Sequence, residues 1–335
     1  MDKKLNESWN IAGIVVFSII GIVIVIYFTR KYFQGGYFRK CARADAKTVI
    51  ITGVNSCIGK RLATEMAQRG ATVYITCKDE EEMERVKQRI LDRSGSQNVF
   101  GIQLDLSSFD SIRKFAKKFL ESEKRLHILI NNENVVMVPK QLTKDGFESH
   151  LGINHLGPFL LTNLLLNILM KTTAPSRIVN ITSLSYKWAI LNKDDLNSEN
   201  FYHKWKAYGQ SKLCNILFTR HLARKIKDKN VTTYVVNPGI VASEFENYFR
   251  SYFNSYIYSF LVFLAKPFLW LFLKSDESAS QSVLFAALDP ALKTENGKFY
   301  SDCKEVELME HARSIETAEW LWKTSEKLTG LRKSA

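Results

Sequence analysis

Short runs rich in β-branched residues alternate with amphipathic stretches between residues 46 and 240, and this alternation limits the possible folds more than any other feature. Continuous apolar strands that alternate with helices are typical of a parallel sheet covered on both faces. Because such crossovers are right-handed, we predict an α/β fold with a doubly wound parallel sheet. The predicted strands read TVIIT, TVYITC, VFGIQL, HILIN, RIVNIT and TTYVVN.

Polar residues and glycines stand where the predicted strands end. In a doubly wound sheet the ligand binds at the carboxyl ends of the strands. We therefore expect the ligand site of this chain to be built from these strand-end residues. In chain order they are the glycine loop at 52–59, Lys78, Asp105 with Leu106, the NNEN segment at 131–134, Ser183 and the NPG segment at 237–239.

The glycine loop reads TGVNSCIG and joins the first strand to the first helix of the sheet. A strand that runs through such a loop into a helix is typical of a Rossmann fold, in which the helix N-terminus binds the pyrophosphate of a dinucleotide. We therefore predict that this loop binds a dinucleotide cofactor. Its predicted cofactor-binding residues are Gly53, Asn55, Ser56, Cys57, Ile58 and Gly59.

Tyr208 and Lys212, in the stretch KAYGQSK, stand four residues apart and share one face of a helix predicted from about 206 to 227. A YxxxK pair alone is weak evidence, but Ser183 ends the strand that precedes this helix. A free tyrosine has a pKa of about 10, and a neighbouring ammonium favours its phenolate form. We predict that Tyr208 is the acid-base, and that Ser183 hydrogen-bonds the substrate oxygen while hydride moves to or from the nicotinamide ring.

The end of the second predicted strand indicates which dinucleotide binds. An Asp or Glu at this tip binds the ribose 2′-hydroxyl of NAD, whereas a cation neutralises the 2′-phosphate of NADP. Here the strand ends with Thr76, Cys77 and Lys78, and Lys60 lies in the first helix. Asp79 lies just beyond this strand and is an argument for NAD, but we interpret it as an N-terminal charge of the next helix. The sequence therefore predicts NADP(H) as the cofactor.

Residues 11–28 form an apolar run without a charge, IAGIVVFSIIGIVIVIYF. As a helix at about 1.5 Å per residue this run spans roughly 27 Å, which matches a thin bilayer such as that of the endoplasmic reticulum. A cleaved signal peptide is the alternative, although its apolar core is shorter. Basic residues follow the run and no acid occurs before Asp45. The positive-inside rule therefore predicts a single-pass, N-terminal transmembrane helix with the catalytic domain in the cytosol, most simply at the endoplasmic reticulum.

Composition excludes several classes of protein. The formal net charge is +13, but the basic residues are mixed with acidic ones, and no zinc finger, RNA-binding signature or basic heptad occurs. We expect a membrane as the partner, and no nucleic acid. The cysteines are odd in number and widely spaced without a CxxC pair, which favours reduced thiols. The histidines are not grouped at metal-ligand spacing, so we expect no metal site.

A second apolar stretch, YFNSYIYSFLVFLAKPFLWLFL, is interrupted by Lys266 and Pro267. We interpret residues 250–274 as a flap that rests in the membrane interface and admits a lipid-soluble substrate; a second spanning helix is the alternative. Candidate walls of the substrate pocket are Val136, Met137, Leu184, Trp188, Trp205 and Phe245. The predicted domain scheme is a tail at 1–10, the anchor at 11–28, a basic linker at 29–45, the Rossmann-type domain at 46–305 and a C-terminal helical extension at 306–335.

Together these motifs resemble those of the classical short-chain dehydrogenases/reductases, and residues 46–305 are similar to the membrane-anchored retinol dehydrogenase branch. The resemblance is carried by TGVNSCIGK, VYITCKD, LDLSS, GINHLGPFLLT, RIVNITS, YGQSK, NPGIV and GKFYSDCK. It implies that Asn154 holds a water that links Lys212 to the proton relay, and that Lys212 also contacts the nicotinamide ribose. The catalytic residues so implied are Asn154, Ser183, Tyr208 and Lys212. Further cofactor contacts so implied are Asn132, Pro238 and Gly239.

The resemblance also implies the activity. It points to an NADP(H)-dependent oxidoreductase that interconverts a lipophilic alcohol and its aldehyde or ketone, with retinol and retinal as the substrate pair. Reduction of other long-chain lipid aldehydes is one alternative, and a cofactor-impaired, membrane-bound pseudoenzyme or scaffold is another. The sequence leaves homodimer formation open.

Two segments depart from the pattern of this family. Cys57 stands at a glycine position, and the family's NNAG segment appears here as Asn131, Asn132, Glu133 and Asn134. Cysteine adopts positive φ only at a cost of about 1–3 kcal/mol, so we predict helical φ for Cys57. Its thiol is either a redox-sensitive gate for cofactor entry or a tolerated substitution. Asn134 suits a left-handed backbone. Glu133 is expected to point to solvent or to pair with a lysine, because a carboxylate beside a polyanionic cofactor weakens binding.

Overall fold

The predicted strands assemble into one sheet in the computed structural model, which describes residues 2–40, 42–242 and 255–331. The strands are β1 (Thr48–Ile51), β2 (Thr72–Ile75), β3 (Val99–Gly101), β4 (Ile128–Asn131), β5 (Ser176–Ile181), β6 (Val231–Asn237), β7 (Lys298–Ser301) and β8 (Lys304–Glu305). Their order is β3-β2-β1-β4-β5-β6-β7-β8, parallel except for the β7-β8 pair. The direction of winding reverses between β1 and β4, so the prediction of a doubly wound parallel sheet is confirmed.

Helices cover both faces of this sheet. They are α1 (Asp2–Gln34), α2 (Cys57–Gln68), α3 (Glu80–Ser94), α4 (Phe109–Ser122), α5 (Ser149–Leu151), α6 (Gly157–Lys171), α7 (Lys204–Lys225), α8 (Ser255–Phe272), α9 (Asp276–Leu288) and α10 (Ile315–Leu328). Gly152–Leu156 is a π-helical turn between α5 and α6, and 3₁₀ turns span Leu184–Trp188, Pro290–Thr294 and Glu310–Arg313.

Alternating residues of strand β1 enter two of the hydrophobic cores, which lie on opposite faces of the sheet. Val49 and Ile51 belong to the core formed with α2, α3 and α9, whereas Ile50 belongs to the core formed with α4, α6 and α7. All three side chains are fully buried. This is the period-two alternation of a strand, and it places the ends of β1 and β4 between two packed layers.

The boundary predicted for the helix after β4 is wrong at its start. The sequence pattern predicts a helical region from about residue 143 to 170, but residues 143–147 form a turn in which Thr143 N–H donates to Phe147 O at 2.7 Å and Gly146 has a φ of 82°. The helix begins at Ser149 because the Glu148 carboxylate accepts hydrogen bonds from the N–H groups of His150 and Leu151.

The N-terminal helix α1 contains a candidate membrane span at Gly13–Gln34, with 22 residues, a mean hydropathy of 2.3 and no part buried in the protein. The other candidate in the described chain, Ser149–Lys171, is 67% buried and belongs to the core. At its C-terminal end α1 contacts α8: Arg30 donates to the carbonyl oxygens of Trp270 and Leu273, and Gln34 Nε2 donates to Leu273 O at 3.0 Å.

Candidate active site

The glycine loop after β1 is fixed by the side chain of Asn132. Its amide donates to the carbonyl oxygens of Thr52 and Gly53 at 3.0 and 3.1 Å, and Gly53 has a φ of 69° that favours glycine. A Cβ at Gly59 would lie 2.4 Å from Gly53 O, so only glycine fits there without displacing the loop. The loop therefore packs closely against the first turn of α2, as a phosphate-binding loop requires.

The first turn of α2 explains how the chain accommodates Cys57. Ser56 is the N-cap of the helix, and its Oγ accepts from Gly59 N–H at 3.0 Å. Cys57 is the first helical residue and does not have positive φ, so the prediction of helical φ is confirmed. Asn55 is exposed at the loop tip, and Ile58 is buried beneath it. The gating role of Cys57 stays a prediction.

Lys78 and Asp105 lie near each other beyond the ends of β2 and β3. The Lys78 side chain is 67% exposed, and its Nζ is 3.9 Å from Asp105 Oδ2. Burial acts to raise the pKa of Asp105, but hydrogen bonds from Ser107 and Lys144 outweigh it and lower that pKa. Asp79 is the N-cap of α3 and accepts from Glu82 N–H at 2.7 Å, which confirms its interpretation as a helix N-terminal charge.

The expectation for Glu133 is wrong: its carboxyl neither reaches solvent freely nor pairs with a lysine. Its Oε2 is buried without a hydrogen-bond partner in the described chain. Burial and the charge of Asp105 raise the pKa of Glu133 to about 8, against the opposing effect of Lys78. The cause is the backbone, because Glu133 N–H is held by Thr52 Oγ1 at 3.1 Å. Asn134 does not have the left-handed backbone that we expected; in this loop Met137 does, with a φ of 48°.

Asn154 lies in the π-helical turn, a kind of distortion that often occurs at functional sites. Its side chain is buried, and its Oδ1 accepts from Val135 N–H at 2.8 Å. Its Nδ2 donates to Val135 O and to Ser211 Oγ, both at 3.0 Å. Asn154 therefore joins the loop after β4 to helix α7, which carries Tyr208 and Lys212.

Tyr208 and Lys212 are both buried on one face of α7, with Lys212 Nζ 5.4 Å from the centroid of the Tyr208 ring. Thr182 Oγ1 donates to Lys212 O at 2.9 Å and so fixes this turn of α7 against the end of β5. Ser183, the next residue, caps the 3₁₀ turn Leu184–Trp188, and its Oγ accepts from Ser185 N–H at 3.4 Å. The structure thus brings the four predicted catalytic residues into one region.

A cavity of about 990 Å³ opens beside Ser183 and Tyr208. It continues past Gly239 and Ile240, which follow β6. Trp188 and Trp205 at its rim are largely exposed. The predicted wall residues Val136, Met137, Leu184, Trp188 and Trp205 all line the cavity, and Phe245 lies outside the described residues.

The NPG segment closes the same end of the site. Gly239 has a φ of 91°, and its N–H donates to Asn237 Oδ1 at 3.2 Å. A Cβ at Gly239 would lie 2.7 Å from Lys274 Cδ, so glycine is needed for this close approach. Pro238 is buried. The Lys274 ammonium pairs with Asp302 in the turn between β7 and β8.

Sequence reasoning missed a buried pair that supports Tyr208. His150 is fully buried, its Nδ1 is 2.6 Å from Glu148 Oε1, and its ring lies edge-on to Tyr208 at 6.0 Å between centroids. The sequence alone assigns His150 no role, because the histidines are not grouped at metal-ligand spacing. A signal was present, since His150 stands four residues before Asn154 and so shares its face of the helix.

The short chain dehydrogenase family model matches residues 47–252. The chain belongs to the short-chain dehydrogenase family. It is 44% identical over 303 residues to retinol dehydrogenase 12 of Homo sapiens, a match that covers 90% of this chain and 92% of the relative. It is also 44% identical over 305 residues to retinol dehydrogenase 11 of Homo sapiens, with the same coverage. This short-chain dehydrogenase thus lies in the retinol dehydrogenase-like branch, as the sequence motifs predicted.

Solved structures share the fold of this chain. An uncharacterized protein from Mycobacterium Paratuberculosis superposes with a TM-score of 0.69 at 30% identity, covering 88% of this chain and 98% of that one. A short chain dehydrogenase from Escherichia coli CFT073, complexed with NADPH, superposes with a TM-score of 0.59 at 19% identity, covering 78% and 99%. At this identity the second match shows the fold alone.

Membership of the family makes this protein an oxidoreductase that binds a nicotinamide cofactor. The residues present fit such a cofactor, because the loop keeps the close Gly53 and Gly59 packing that leaves the α2 N-terminus available to a pyrophosphate. In the described part of the chain no group of three His, Cys, Asp or Glu side chains could hold a metal ion.

Proposed function

We propose that this short-chain dehydrogenase uses NADP(H) to interconvert a lipophilic alcohol and its carbonyl, with retinol and retinal as the first pair to test. The observation that carries the proposal is the large cavity lined by Ser183 and Tyr208. Its mainly apolar lining suits an extended apolar substrate, and the hydroxyls of Ser183 and Tyr208 suit a single substrate oxygen.

The cofactor-binding residues are proposed from the family pattern and from their positions. The loop residues Gly53, Asn55, Ser56, Cys57, Ile58 and Gly59 bind the pyrophosphate. Lys78, Asp105, Leu106 and Asn132 surround the adenosine half, and Tyr208, Lys212, Pro238 and Gly239 surround the nicotinamide half. NADP(H) is favoured over NAD(H) because Lys78 is exposed at the tip of β2, while Asp79 is occupied in capping α3.

The reduced nicotinamide, when bound, supplies hydride to the substrate carbonyl. Tyr208 donates its phenolic proton to the developing alkoxide, and the Ser183 hydroxyl donates a hydrogen bond to the same oxygen. The ammonium of Lys212 stabilises the phenolate that remains on Tyr208. Asn154 Oδ1 accepts one backbone N–H and has a second lone pair, with which it holds a water for the relay to Lys212.

Membrane attachment follows from α1 and α8. The chain leaves the domain near Ile240 and returns at Lys274, and these two positions are paired: Lys274 N–H donates to Ile240 O at 2.9 Å and Ala242 N–H to Lys274 O at 3.1 Å. Because Ile240 and Lys274 lie side by side, a single span between them would not bring the chain back to the same side of the bilayer. This favours a flap over a second spanning helix.

The flap is suited to the membrane interface. Apolar side chains in the described part of α8 are exposed, and Arg30 at the end of the α1 span stacks on Trp270 at 4.9 Å. The exposed residues are Leu261, Phe263, Leu264, Phe268, Trp270 and Phe272. We therefore propose a single-pass protein of the endoplasmic reticulum whose cytosolic domain takes its substrate from the bilayer beside Ile240.

The decisive test is oxidation of NADPH and of NADH by the full chain in detergent, with all-trans-retinal, long-chain aldehydes and a small water-soluble aldehyde. The proposal predicts turnover of NADPH with the lipophilic carbonyls. Faster turnover with saturated long-chain aldehydes than with retinal supports the alternative substrate class. Binding of NADPH without turnover of any carbonyl supports the pseudoenzyme and contradicts the proposal.

A further inference from the structure

Glu133 is a half-buried acid at the adenosine end of the proposed cofactor site, and the proposed reaction does not use it. Gly53 approaches its backbone so closely that a Cβ on Gly53 would lie 2.5 Å from Glu133 Cα. The neighbouring Asn132 bridges to the same loop. Glu133 Oε2 is buried and has no hydrogen-bond partner among the described residues. A residue directly beside the glycine loop therefore carries a carboxyl oxygen that is enclosed and makes no hydrogen bond with the described residues.

The ionisable groups around Glu133 come from three strand ends. Asp105 follows β3, and Lys144 lies 3.0 Å from its Oδ2; Lys78 and Cys77 follow β2. In the glycine loop of residues 52–59 Cys57 is the one ionisable side chain. Burial and Asp105 raise the pKa of Glu133 to about 8, and Lys78 opposes them. At neutral pH the carboxyl is therefore mainly protonated, and it can act as a hydrogen-bond donor.

We propose that Glu133 is a cofactor-binding residue in its neutral form, donating a hydrogen bond to the adenosine half of NADP(H), and that its ionisation weakens cofactor binding. The inference rests on the proposed NADP(H) function and adds a residue to that site. The inference explains why a carboxyl can stand beside the phosphates of the cofactor. A protonated Glu133 carries no charge, and it gains a hydrogen-bond partner when the cofactor binds.

The direction of the pH effect follows from linkage. Cofactor binding favours protonated Glu133, so affinity is highest below a pH of about 8 and falls as the pH rises above it. For a group that titrates near this pH in the free protein, the dissociation constant of NADPH rises by up to about tenfold between pH 7 and pH 9.

The test is calorimetric binding of NADPH and of 2′,5′-ADP to the full chain at pH 7 and pH 9. It compares wild type with Glu133→Gln, which keeps a neutral donor, and with Glu81→Gln, which removes an exposed acid from the first turn of α3. We expect Glu133→Gln to bind NADPH at pH 7 within about threefold of wild type and to lose most of the pH response. Glu81→Gln should follow wild type. Ionisation of the 2′-phosphate is common to all three proteins and cancels in the comparison.

The outcomes separate this inference from the proposed function. An equal pH response in wild type and Glu133→Gln overturns the inference, as does much tighter binding by Glu133→Gln at pH 7, since that shows an ionised, repulsive Glu133. Absence of NADPH binding by all three proteins overturns the proposed cofactor itself. A second measurement needs no variant. Calorimetry in buffers of different ionisation enthalpy gives the number of protons that wild type takes up when NADPH binds at pH 8. Net proton uptake supports the inference, and the absence of proton uptake contradicts it.

Discussion

Lys212 Nζ lies 5.4 Å from the centroid of the Tyr208 ring, and both side chains are buried against the end of β5. The hydrogen bond from Thr182 to Lys212 O holds this relationship, and Ser183 follows Thr182 directly. The phenol of Tyr208 and the hydroxyl of Ser183 both line one cavity, and the ammonium of Lys212 lies next to the phenol. A mainly apolar cavity lined by a phenol and a hydroxyl is suited to reduction of a carbonyl.

Replacement of Ser183 tests whether its hydroxyl contacts the substrate oxygen. We expect Ser183→Ala to lower kcat by about 10²–10³, the range found when one donor to a developing oxyanion is removed. Ser185→Ala is the matched control, because Ser185 lies two residues further along the same turn and also lines the cavity. Steady-state NADPH oxidation gives kcat for both variants. Equal losses in the two variants would assign Ser183 a structural role.

Charge reversal at Lys78 tests the choice of cofactor. Lys78→Glu should weaken NADPH binding by at least about tenfold relative to NADH, because an acid at the tip of β2 repels a 2′-phosphate. Lys114→Glu, on an exposed face of α4, makes the same change in net charge away from the site. The measurement is the dissociation constant of NADPH and of NADH for wild type and both variants. An unchanged NADPH-to-NADH ratio in Lys78→Glu would show that other residues select the cofactor.

Replacement by alanine should affect NADPH binding at Gly59 but not at Cys57. Gly59→Ala places a Cβ against Gly53 O and should weaken NADPH binding by about tenfold or more. Cys57→Ala should leave it within about twofold, because position 57 has helical backbone that alanine adopts readily. Tight binding by Gly59→Ala would mean that the loop shifts at little cost.

The exposed face of α8 should matter only for substrates dissolved in the membrane. Phe263→Asp and Phe268→Asp, in the full chain reconstituted into liposomes, should raise KM for retinal several-fold and leave KM for a water-soluble aldehyde unchanged. Ile315→Asp on α10 is an equally exposed apolar control. If both kinds of aldehyde are affected equally, the flap acts on the catalytic site rather than on substrate entry.

Features set by local sequence were predictable, and contacts between distant segments were not. The strands, the glycine loop and the Tyr208-Lys212 spacing each follow from period or motif within a few residues. The start of α5 was misplaced because the Glu148 carboxylate caps it, which helical periodicity does not reveal. The pKa of Glu133 depends on burial and on Asp105, a residue that follows another strand. The packing of His150 on Tyr208 likewise joins segments that are far apart in the sequence.

The most direct test of the whole account is NADPH oxidation with a lipophilic aldehyde by Tyr208→Phe. Tyr202→Phe is the control, since among the described residues the ring of Tyr202 also packs against His150. The account predicts that Tyr208→Phe still binds NADPH but loses at least about 10³ in kcat, within the range for loss of a general acid, while Tyr202→Phe stays active. Substantial turnover by Tyr208→Phe, with NADPH bound as in wild type, would contradict the assignment of Tyr208 as the proton donor.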